Sequence, residues 1–441
     1  MAVNRKDADS IVKALEAGVV PKRGIQYLLV GRRHEVEEVI RILESVSQGR
    51  SDLRIWVGDF GSGKSFMLQT IQNLAQQKNF VASTVDLTPN RRLYATDGSA
   101  NALYTEIMDK LVTKSAQNGN VLNTIVEEWL TQIMQTLANK YHISQAEVLQ
   151  EQYRLEIENT ILDTFDKFQS VALSYEFGQA IIQYYRGLQQ NNRQQMLQAI
   201  RWLRGDIRTM TESKQSLGIN RVIRDDNWYD ALKTMSELFI EIGYSGFVVN
   251  LDEAVNIYKL SNSVSRERNY ERILNIYNEC KADVARGLFV NLGATRKTVY
   301  NNLRGMASYG ALQGRLGLEE RMDSDLVNTN RTTLPLKPLT NEEIYTLLAN
   351  LIHVYQVNYQ TDITMSNEQI VQYMEIQLNR PGADEFLTPR AVIKDFIELL
   401  DLMRQNPGIT ASDALHDKFG DVAAPIQKDQ ANTDDDQIEV F

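Results

Sequence analysis

The sequence predicts an α/β fold, in which a parallel five-stranded sheet carries helices on both faces. Short apolar runs at 53–57, 80–87, 246–251, 288–293 and 332–339 alternate with segments of helical periodicity. A glycine-rich turn separates the first run from a helix, which is typical of nucleotide-binding α/β proteins. About 150 residues between the second and third runs are almost entirely helical in pattern, far more than a crossover needs. We therefore also expect a large all-helical insert.

Composition limits the class of protein. The chain has 441 residues, which is enough for two or three domains, and its net charge is −10. Cys280 is the single cysteine, and the four histidines are scattered, so we expect neither an internal disulfide nor a histidine–cysteine metal cluster. We see no apolar run of about 18 residues and no secretory signal, and we therefore expect a cytoplasmic protein without a membrane partner.

The elements are predicted in the following order. A helical and then looped segment, residues 1–50, precedes the first strand, and the helix after the glycine-rich turn covers Lys64–Gln77. The strand "FVASTVDL" ends at Thr88-Pro89-Asn90, where turn residues begin. Three further helices are predicted in the C-terminal part, at 341–353, 366–378 and 388–404.

The turn matches the phosphate-binding pattern G-x-x-x-x-G-K-[ST]. Its backbone N–H groups and the start of the next helix favour a bound phosphate. Lys64 is expected to reach the β- and γ-phosphates, and Ser65 to bind Mg²⁺. The alternative is a glycine-rich turn without function, which the position between strand and helix disfavours. The predicted nucleotide-contacting residues are Gly58, Asp59, Phe60, Gly61, Ser62, Gly63, Lys64, Ser65 and Phe66.

Asp252 and Glu253 follow the apolar strand "GFVVNL". An acidic residue at a strand end can hold Mg²⁺, and a neighbouring carboxylate can polarise the attacking water. We therefore expect Asp252 to bind Mg²⁺ and Glu253 to act as the catalytic base. The alternative is an ordinary acidic start of a helix.

Three later residues are candidates for the same site. Thr295 follows the fourth strand and is expected to contact the γ-phosphate or the attacking water, with helix capping as the alternative. Arg315 is a candidate for stabilising charge on a neighbouring subunit's γ-phosphate, and Arg321 is its rival. Arg390 begins a C-terminal helix and is expected to contact the nucleotide. The alternative for Arg315 is a surface arginine in an ion pair, and the alternative for Arg390 is a solvated arginine.

These motifs, in this order, resemble the AAA+ ATPases of the origin-recognition and helicase-loader branch. The segments "VPKRGIQYLLVGR", "RWLRGD", "DDNWYDALKTMSELFIEIGYSGFVVNLDEA" and "TPRAVIKDF" are more similar still to the ATP-binding proteins of BREX-type phage-defence systems, the BrxD-like group. The resemblance implies a P-loop AAA+ core, ATP and Mg²⁺ as ligands, and a homo-oligomeric ring or filament. It also implies that Tyr27 lies near the adenine. The chain departs from origin-recognition relatives, because too few residues follow the C-terminal helices for a winged-helix domain.

The resemblance and the element pattern together predict the domain limits. Residues 1–50 form an N-terminal helical segment with an adenine-side loop, and 51–95 with 236–336 form the AAA+ core. Residues 96–235 form the helical insert, 337–405 a helical lid, and 406–441 a flexible acidic tail.

The insert contains a basic segment between residues 186 and 224. Eight basic residues are opposed there only by Asp206 and Glu212. We expect Arg201, Arg204 and Arg208 to contact nucleic-acid phosphates, with Tyr184, Tyr185 and Trp202 available to stack on bases. The alternative is a set of solvated helix faces with Trp202 in the core.

The tail ends "DDDQIEVF", an acidic and apolar sequence that suits docking into a protein partner; the alternative is a solubilising tail.

The function predicted for the whole chain is ATP hydrolysis that remodels or loads a nucleic-acid-associated partner in bacterial anti-phage defence. Two alternatives remain open: a slowly hydrolysing assembly switch, and a scaffold for a partner helicase or nuclease.

Overall fold

The computed structural model describes residues 3–117, 121–168, 172–318, 328–380 and 388–420. The chain divides into two compact units. One consists of residues 31–338, and the other combines residues 1–30 with residues 339–441.

The helices and strands have the following bounds in chain order. The first are α1 (Arg5–Glu16), α2 (Arg33–Ser47), β1 (Asp52–Val57), α3 (Lys64–Gln77), β2 (Val81–Asp86), α4 (Ser99–Asp109) and α5 (Val121–Tyr141). Next are α6 (Gln145–Val148), α7 (Glu151–Asp166), α8 (Ser174–Gln189), α9 (Arg193–Leu203), α10 (Met210–Leu217) and α11 (Trp228–Ile242). Then come β3 (Phe247–Asp252), α12 (Val255–Tyr258), α13 (Ser263–Lys281), β4 (Leu288–Ala294), α14 (Arg296–Tyr300), α15 (Gly310–Leu316) and β5 (Thr333–Pro335). The last are α16 (Asn341–Tyr359), α17 (Asn367–Leu378), α18 (Pro389–Gln405) and α19 (Ala411–Phe419), and two short 3₁₀ helices cover Ile25–Tyr27 and Met306–Ser308.

The strands form a parallel sheet in the order β2-β3-β4-β1-β5, which confirms the predicted five-stranded parallel sheet. In this register Asp86 lies opposite Asp252, and Val57 lies opposite Ala294. The carboxyl ends of β1, β3 and β4 therefore meet at one edge, where parallel α/β sheets bind their ligands.

Both faces of the sheet are buried. Leu53, Ile55 and Val57 point into a core that continues through the helices between β2 and β3, whereas Trp56 points into a second core shared with α2 and α3. Trp56 donates its indole N–H to Asn291 Oδ1 at 2.9 Å, so this buried polar group is satisfied. Because apolar groups are covered on both sides, the strands appear in the sequence as continuous apolar runs.

Every described element between β2 and β3, from α4 to α11, is helical. An aromatic chain joins these helices: the ring centroids of Trp129 and Phe165 are 6.1 Å apart, and those of Phe177 and Trp202 are 5.4 Å apart. The helices between β2 and β3 therefore have an apolar interior that is continuous with one face of the sheet.

In the other unit, α1 packs against α16 and α18. The prediction of a flexible tail from residue 406 onward is wrong for α19. Thr410 and Asp413 form a capping box at its start, and Leu415 is buried. Phe419 packs on Tyr373, with ring centroids 5.9 Å apart. The polar residues that suggested disorder lie on the exposed side of an amphipathic helix, and the docking motif at 434–441 lies outside the described residues.

No helix in the described ranges is long and apolar enough to cross a membrane.

A buried ion cluster lies at the start of β1. Arg54 Nη2 is 2.8 Å from Glu38 Oε1 and 3.1 Å from Asp52 Oδ2, and Arg41 also binds Glu38, at 2.7 Å. Burial pushes the pKa of Glu38 upward, but hydrogen bonds from Arg41 and Arg54 outweigh it and hold this pKa below its usual value. The cluster therefore joins α2 to the sheet only while Glu38 and Arg54 are both charged.

Replacing Arg54 by alanine leaves Glu38 buried with a single exposed partner, so we expect the unit 31–338 to lose about 3–5 kcal/mol of stability. Thermal unfolding followed by circular dichroism measures this loss. Since the pKa of Glu38 is lowered in the fold, the difference from wild type should be full above the ordinary pKa of a glutamate and should shrink as the pH falls through the lowered pKa of Glu38. Arg33→Ala, which removes an exposed pair with Glu37, is the matched control; equal melting temperatures for the two variants would contradict the assignment.

Candidate nucleotide-binding site

The turn between β1 and α3 needs its glycines. Gly61 and Gly63 have φ values of 80° and 93°, in the left-handed region that favours glycine. A Cβ atom on Gly58 would lie 2.2 Å from Ser62 Oγ, so no side chain fits there. The turn therefore brings its backbone close to whatever binds at the start of α3.

Polar groups in this turn are arranged for an anion. Lys64 Nζ donates to the carbonyl oxygens of Gly58 and Asp59, at 2.8 Å each, and lies 5.6 Å from the centroid of the exposed Phe60 ring. Ser62 Oγ is buried and has no hydrogen-bond partner among the described residues. A buried hydroxyl without a partner beside a lysine and a helix start fits a phosphate oxygen.

Arg32 stabilises the turn by hydrogen bonds to backbone carbonyl groups. This buried side chain donates to the carbonyl of Ser62 at 3.2 Å and to the carbonyl of Lys337 at 2.7 Å. The sequence prediction did not single out Arg32, because an arginine beside a glycine in a loop has no local signature of such a role.

Ser65 and Asp252 meet at the carboxyl edge of the sheet. Ser65 Oγ donates to Asp252 Oδ2 at 2.5 Å, although 187 residues separate them in the chain. A hydroxyl and a carboxylate oxygen are hard donors of the kind that Mg²⁺ prefers. The fold therefore places Ser65 and Asp252 close enough together to bind one metal ion.

Gly293 of β4 provides the space for this contact. A Cβ atom on Gly293 would lie 2.4 Å from Asp252 Oδ1 and 3.3 Å from Leu68 Cδ1. The sequence prediction missed Gly293, because a glycine within an apolar run indicates only a close approach and not its partner.

Glu253, next to Asp252, has an uncommon backbone conformation and a shifted carboxyl pKa. Its φ of 56° lies in the left-handed region, which is uncommon for residues other than glycine. Burial, followed by the charges of Asp252 and Asp86, raises the pKa of its carboxyl, and Lys64 opposes this shift. A carboxylate with a raised pKa accepts a proton more readily, as a catalytic base must.

Asp86 is a third carboxylate that sequence reasoning missed. It ends β2 directly opposite Asp252 in the register, and burial followed by the charge of Asp252 raises the pKa of Asp86. Its only sequence signal was its place near the end of the apolar run 80–87. Like charges gathered in this way are typical of a site that binds cations.

Thr295 follows β4, the strand between β1 and β3. It therefore lies at the same edge as the glycine-rich turn and Asp252. Its hydroxyl accepts a hydrogen bond from the N–H of Thr298 at 3.2 Å, so it caps α14. Capping was the alternative interpretation, and contact with a phosphate stays a prediction.

The remaining candidates have less defined surroundings. Arg315 is exposed on α15 and donates to Asn278 Oδ1 at 2.6 Å, whereas Arg321 lies outside the described residues. Tyr27 and Arg390 belong to the unit that combines 1–30 with 339–441. Their contacts with a nucleotide stay predictions.

Two of the three insert arginines are already paired with acids. Arg201 Nη1 lies 3.0 Å from Glu212 Oε1, and Arg204 pairs with Asp109 and, at 3.2 Å, with Asp206. Arg208 is exposed. This geometry favours the alternative of solvated helix faces, and phosphate binding by these residues stays a prediction.

The predicted stacking of bases on insert aromatics is wrong. Tyr184, Tyr185 and Trp202 are all buried, and the indole N–H of Trp202 donates to the carbonyl of Arg221 at 2.9 Å. Their spacing reflects the core-facing sides of α8 and α9.

Comparison with known proteins identifies one family. The family model described as "BREX system ATP-binding protein BrxC/D" matches residues 3–418, nearly the whole chain. No curated protein matches the sequence. The match confirms the resemblance to the ATP-binding proteins of BREX systems.

Gly293→Ala should displace the Asp252 carboxylate. We expect the Mg²⁺ concentration for half-maximal binding of a fluorescent ATP analogue to rise about 10- to 100-fold, the effect usual for a residue that orients a metal ligand. Gly310→Ala, where a Cβ would meet nothing within 4 Å, is the control. If both variants bind Mg²⁺ and nucleotide like the wild type, Gly293 does not position Asp252.

Proposed function

The chain belongs to the BREX system ATP-binding protein family, and we propose that it hydrolyses ATP with Mg²⁺ as an AAA+ assembly in BREX phage defence. The contact of Ser65 with Asp252 carries this proposal. It joins the start of the phosphate-binding helix to the end of β3, as expected when one metal–nucleotide complex is held by both.

Each residue at the sheet edge has a role in this proposal. Backbone N–H groups of the turn and the positive end of α3 bind the phosphates, and Lys64 exchanges its carbonyl partners for phosphate oxygens. Ser65 and Asp252 hold Mg²⁺, which would neutralise charge on the phosphates. Glu253 takes a proton from the attacking water, for which its raised pKa suits it.

The assembly is proposed to be a ring or filament in which Arg315 of one copy completes the site of the next. Support comes from its exposed position on α15, where Arg315 donates to the amide oxygen of Asn278. Hydrolysis would then remodel or load a nucleic-acid-associated partner, and the C-terminal tail would contact a partner protein.

Glu253→Gln should lose ATP hydrolysis by about 10²- to 10⁴-fold, because the amide cannot accept a proton, while ATP binding is retained. Phosphate release and binding of a fluorescent ATP analogue measure the two effects separately. Glu267→Gln, on the exposed side of α13, is the isosteric control.

Normal turnover by Glu253→Gln would refute the assignment of the base. Negligible turnover by the wild type, with stable ATP-bound oligomers, would instead support the slowly hydrolysing switch.

Arg315→Ala should lower kcat by about 10³-fold or more if the arginine acts across an interface. Lys64→Ala should be inactive for a different reason, since it cannot bind the phosphates. Mixing the two variants should restore part of the activity, because some interfaces then pair an intact nucleotide site with an intact arginine. A mixture as inactive as its components would show that Arg315 does not act in trans; a mixture of Lys64→Ala with Arg33→Ala is the control.

A further inference from the structure

Two segments, each a loop with part of an adjoining helix, form a basic surface at the carboxyl edge of the sheet, beside the nucleotide site. The twin-loop surface consists of residues 258–272, which follow β3, and residues 296–305, which follow β4. These segments contain seven cations and two acids, an excess of +5 in a chain of net charge −10. The cations are Lys259, Arg266, Arg268, Arg272, Arg296, Lys297 and Arg304, and the acids are Glu267 and Glu271.

Two guanidinium groups converge within this surface. Arg304 Nη2 and Arg266 Nη1 both donate to the carbonyl oxygen of Leu260, at 2.8 Å each, so the two nitrogens are close neighbours. Arg304 also donates to the carbonyl of Tyr258 and lies over its ring, 5.5 Å from the centroid. Across the described ranges, neither guanidinium contacts a carboxylate. A carbonyl dipole holds both charges in place without neutralising them.

Exposed cations surround this pair. Lys259 and Lys297 are exposed, and Arg268 is about half exposed with Glu271 as an exposed partner. Such an exposed pair contributes little and yields readily to a stronger anion. The insert arginines differ, because Arg201 and Arg204 are partly buried against their acidic partners.

An exposed apolar side chain directly precedes Arg304 in the chain. Leu303 is 90% exposed, the highest value among the large apolar residues of the described chain. Its turn is rigid: Asn301 Oδ1 accepts from the N–H groups of Leu303 and Arg304 at 3.0 and 2.8 Å. Gly305 packs so tightly that a Cβ would lie 2.8 Å from two carbonyl oxygens, and Tyr270 donates to the carbonyl of Arg304. An exposed apolar residue in a well-bonded turn beside an arginine is suited to wedge against bases.

A cleft of about 520 Å³ adjoins the surface, between the loop after β2 and the start of α13. Its lining includes the polar residues Tyr94, Asn262 and Arg268, and the one acid there, Asp97, is paired with Arg92. The chemistry of the surface favours a polyanion with flat apolar faces over an acidic peptide.

We propose that the twin-loop surface binds the sugar–phosphate backbone of a nucleic acid, with Leu303 against its bases. Guanidinium and ammonium groups contact the phosphates, so binding depends on salt and little on sequence. The inference deepens the proposed function, since it supplies a surface for the nucleic acid in the defence reaction. Binding itself does not require hydrolysis, so the two proposals can fail separately.

The test compares two triple variants of the full chain. Lys259→Ala/Arg268→Ala/Lys297→Ala removes exposed cations of the twin-loop surface, and Arg201→Ala/Arg204→Ala/Arg208→Ala is the matched control in the insert. Fluorescence anisotropy measures binding to labelled single-stranded and duplex DNA between about 50 and 200 mM salt. We expect the first variant to bind at least 10-fold more weakly, with the salt slope reduced by about 2–3, and the control to match the wild type.

The Leu303→Ser variant measures the contribution of the apolar contact to binding separately from that of the charges. It should weaken binding without changing the salt slope, because no phosphate contact is lost. Each variant's melting temperature shows whether it is folded, and without added nucleotide Lys64→Ala should bind DNA like the wild type, since the surface does not include the nucleotide site.

Three results would overturn the proposal. They are wild-type protein that binds neither DNA at 50 mM salt, a twin-loop variant with unchanged affinity and slope, and equal losses in both triple variants. Binding of a synthetic peptide of residues 430–441 to this surface, with no binding of DNA, would assign it to the tail instead.

Discussion

The hydrogen bond between Ser65 and Asp252 is the contact on which the candidate site depends. It exists because β4 lies between β1 and β3, which brings the start of α3 and the end of β3 to one edge. The side chains can meet only because Gly293, on the intervening strand, has no Cβ to fill the space. Strand order and one missing side chain thus create a site from residues 187 positions apart.

The negative charges at the candidate site repel one another. Asp86, Asp252 and Glu253 gather at one edge, and burial with mutual repulsion raises the pKa of Asp86 and Glu253. A divalent cation beside Asp252 would offset that repulsion, and a ligand that binds only the folded state stabilises it. Lys64, held by two carbonyl oxygens, would gain a charged partner when phosphate binds. Nucleotide binding and local stability are therefore coupled through the same few charges.

The features predicted from sequence are those with a local signature. Continuous apolar runs indicate a sheet buried on both faces, and the spacing of Gly58, Gly63 and Lys64 indicates a phosphate-binding turn. Asp86 and Gly293 could not be identified, because their roles depend on which strands are neighbours. The insert arginines show a related limit of sequence reasoning: Arg204 pairs with Asp109, which lies far outside the segment whose charge was counted. Local charge in a sequence therefore overstates the free charge on a surface.

The twin-loop surface stays basic when the long-range pair of Arg296 with Asp59, at 3.8 Å, is counted, and it lies close in the chain to the proposed catalytic residues. Lys259 follows Glu253 by six residues, and the segment 296–305 begins directly after Thr295. The short helix α12 connects the strained backbone of Glu253 to the carbonyl groups that Arg304 holds. A polyanion that pulled on these cations would act on α12 and hence on the backbone of the proposed base. Because coupling between two binding sites is reciprocal, bound nucleotide would change the affinity of this surface by the same factor.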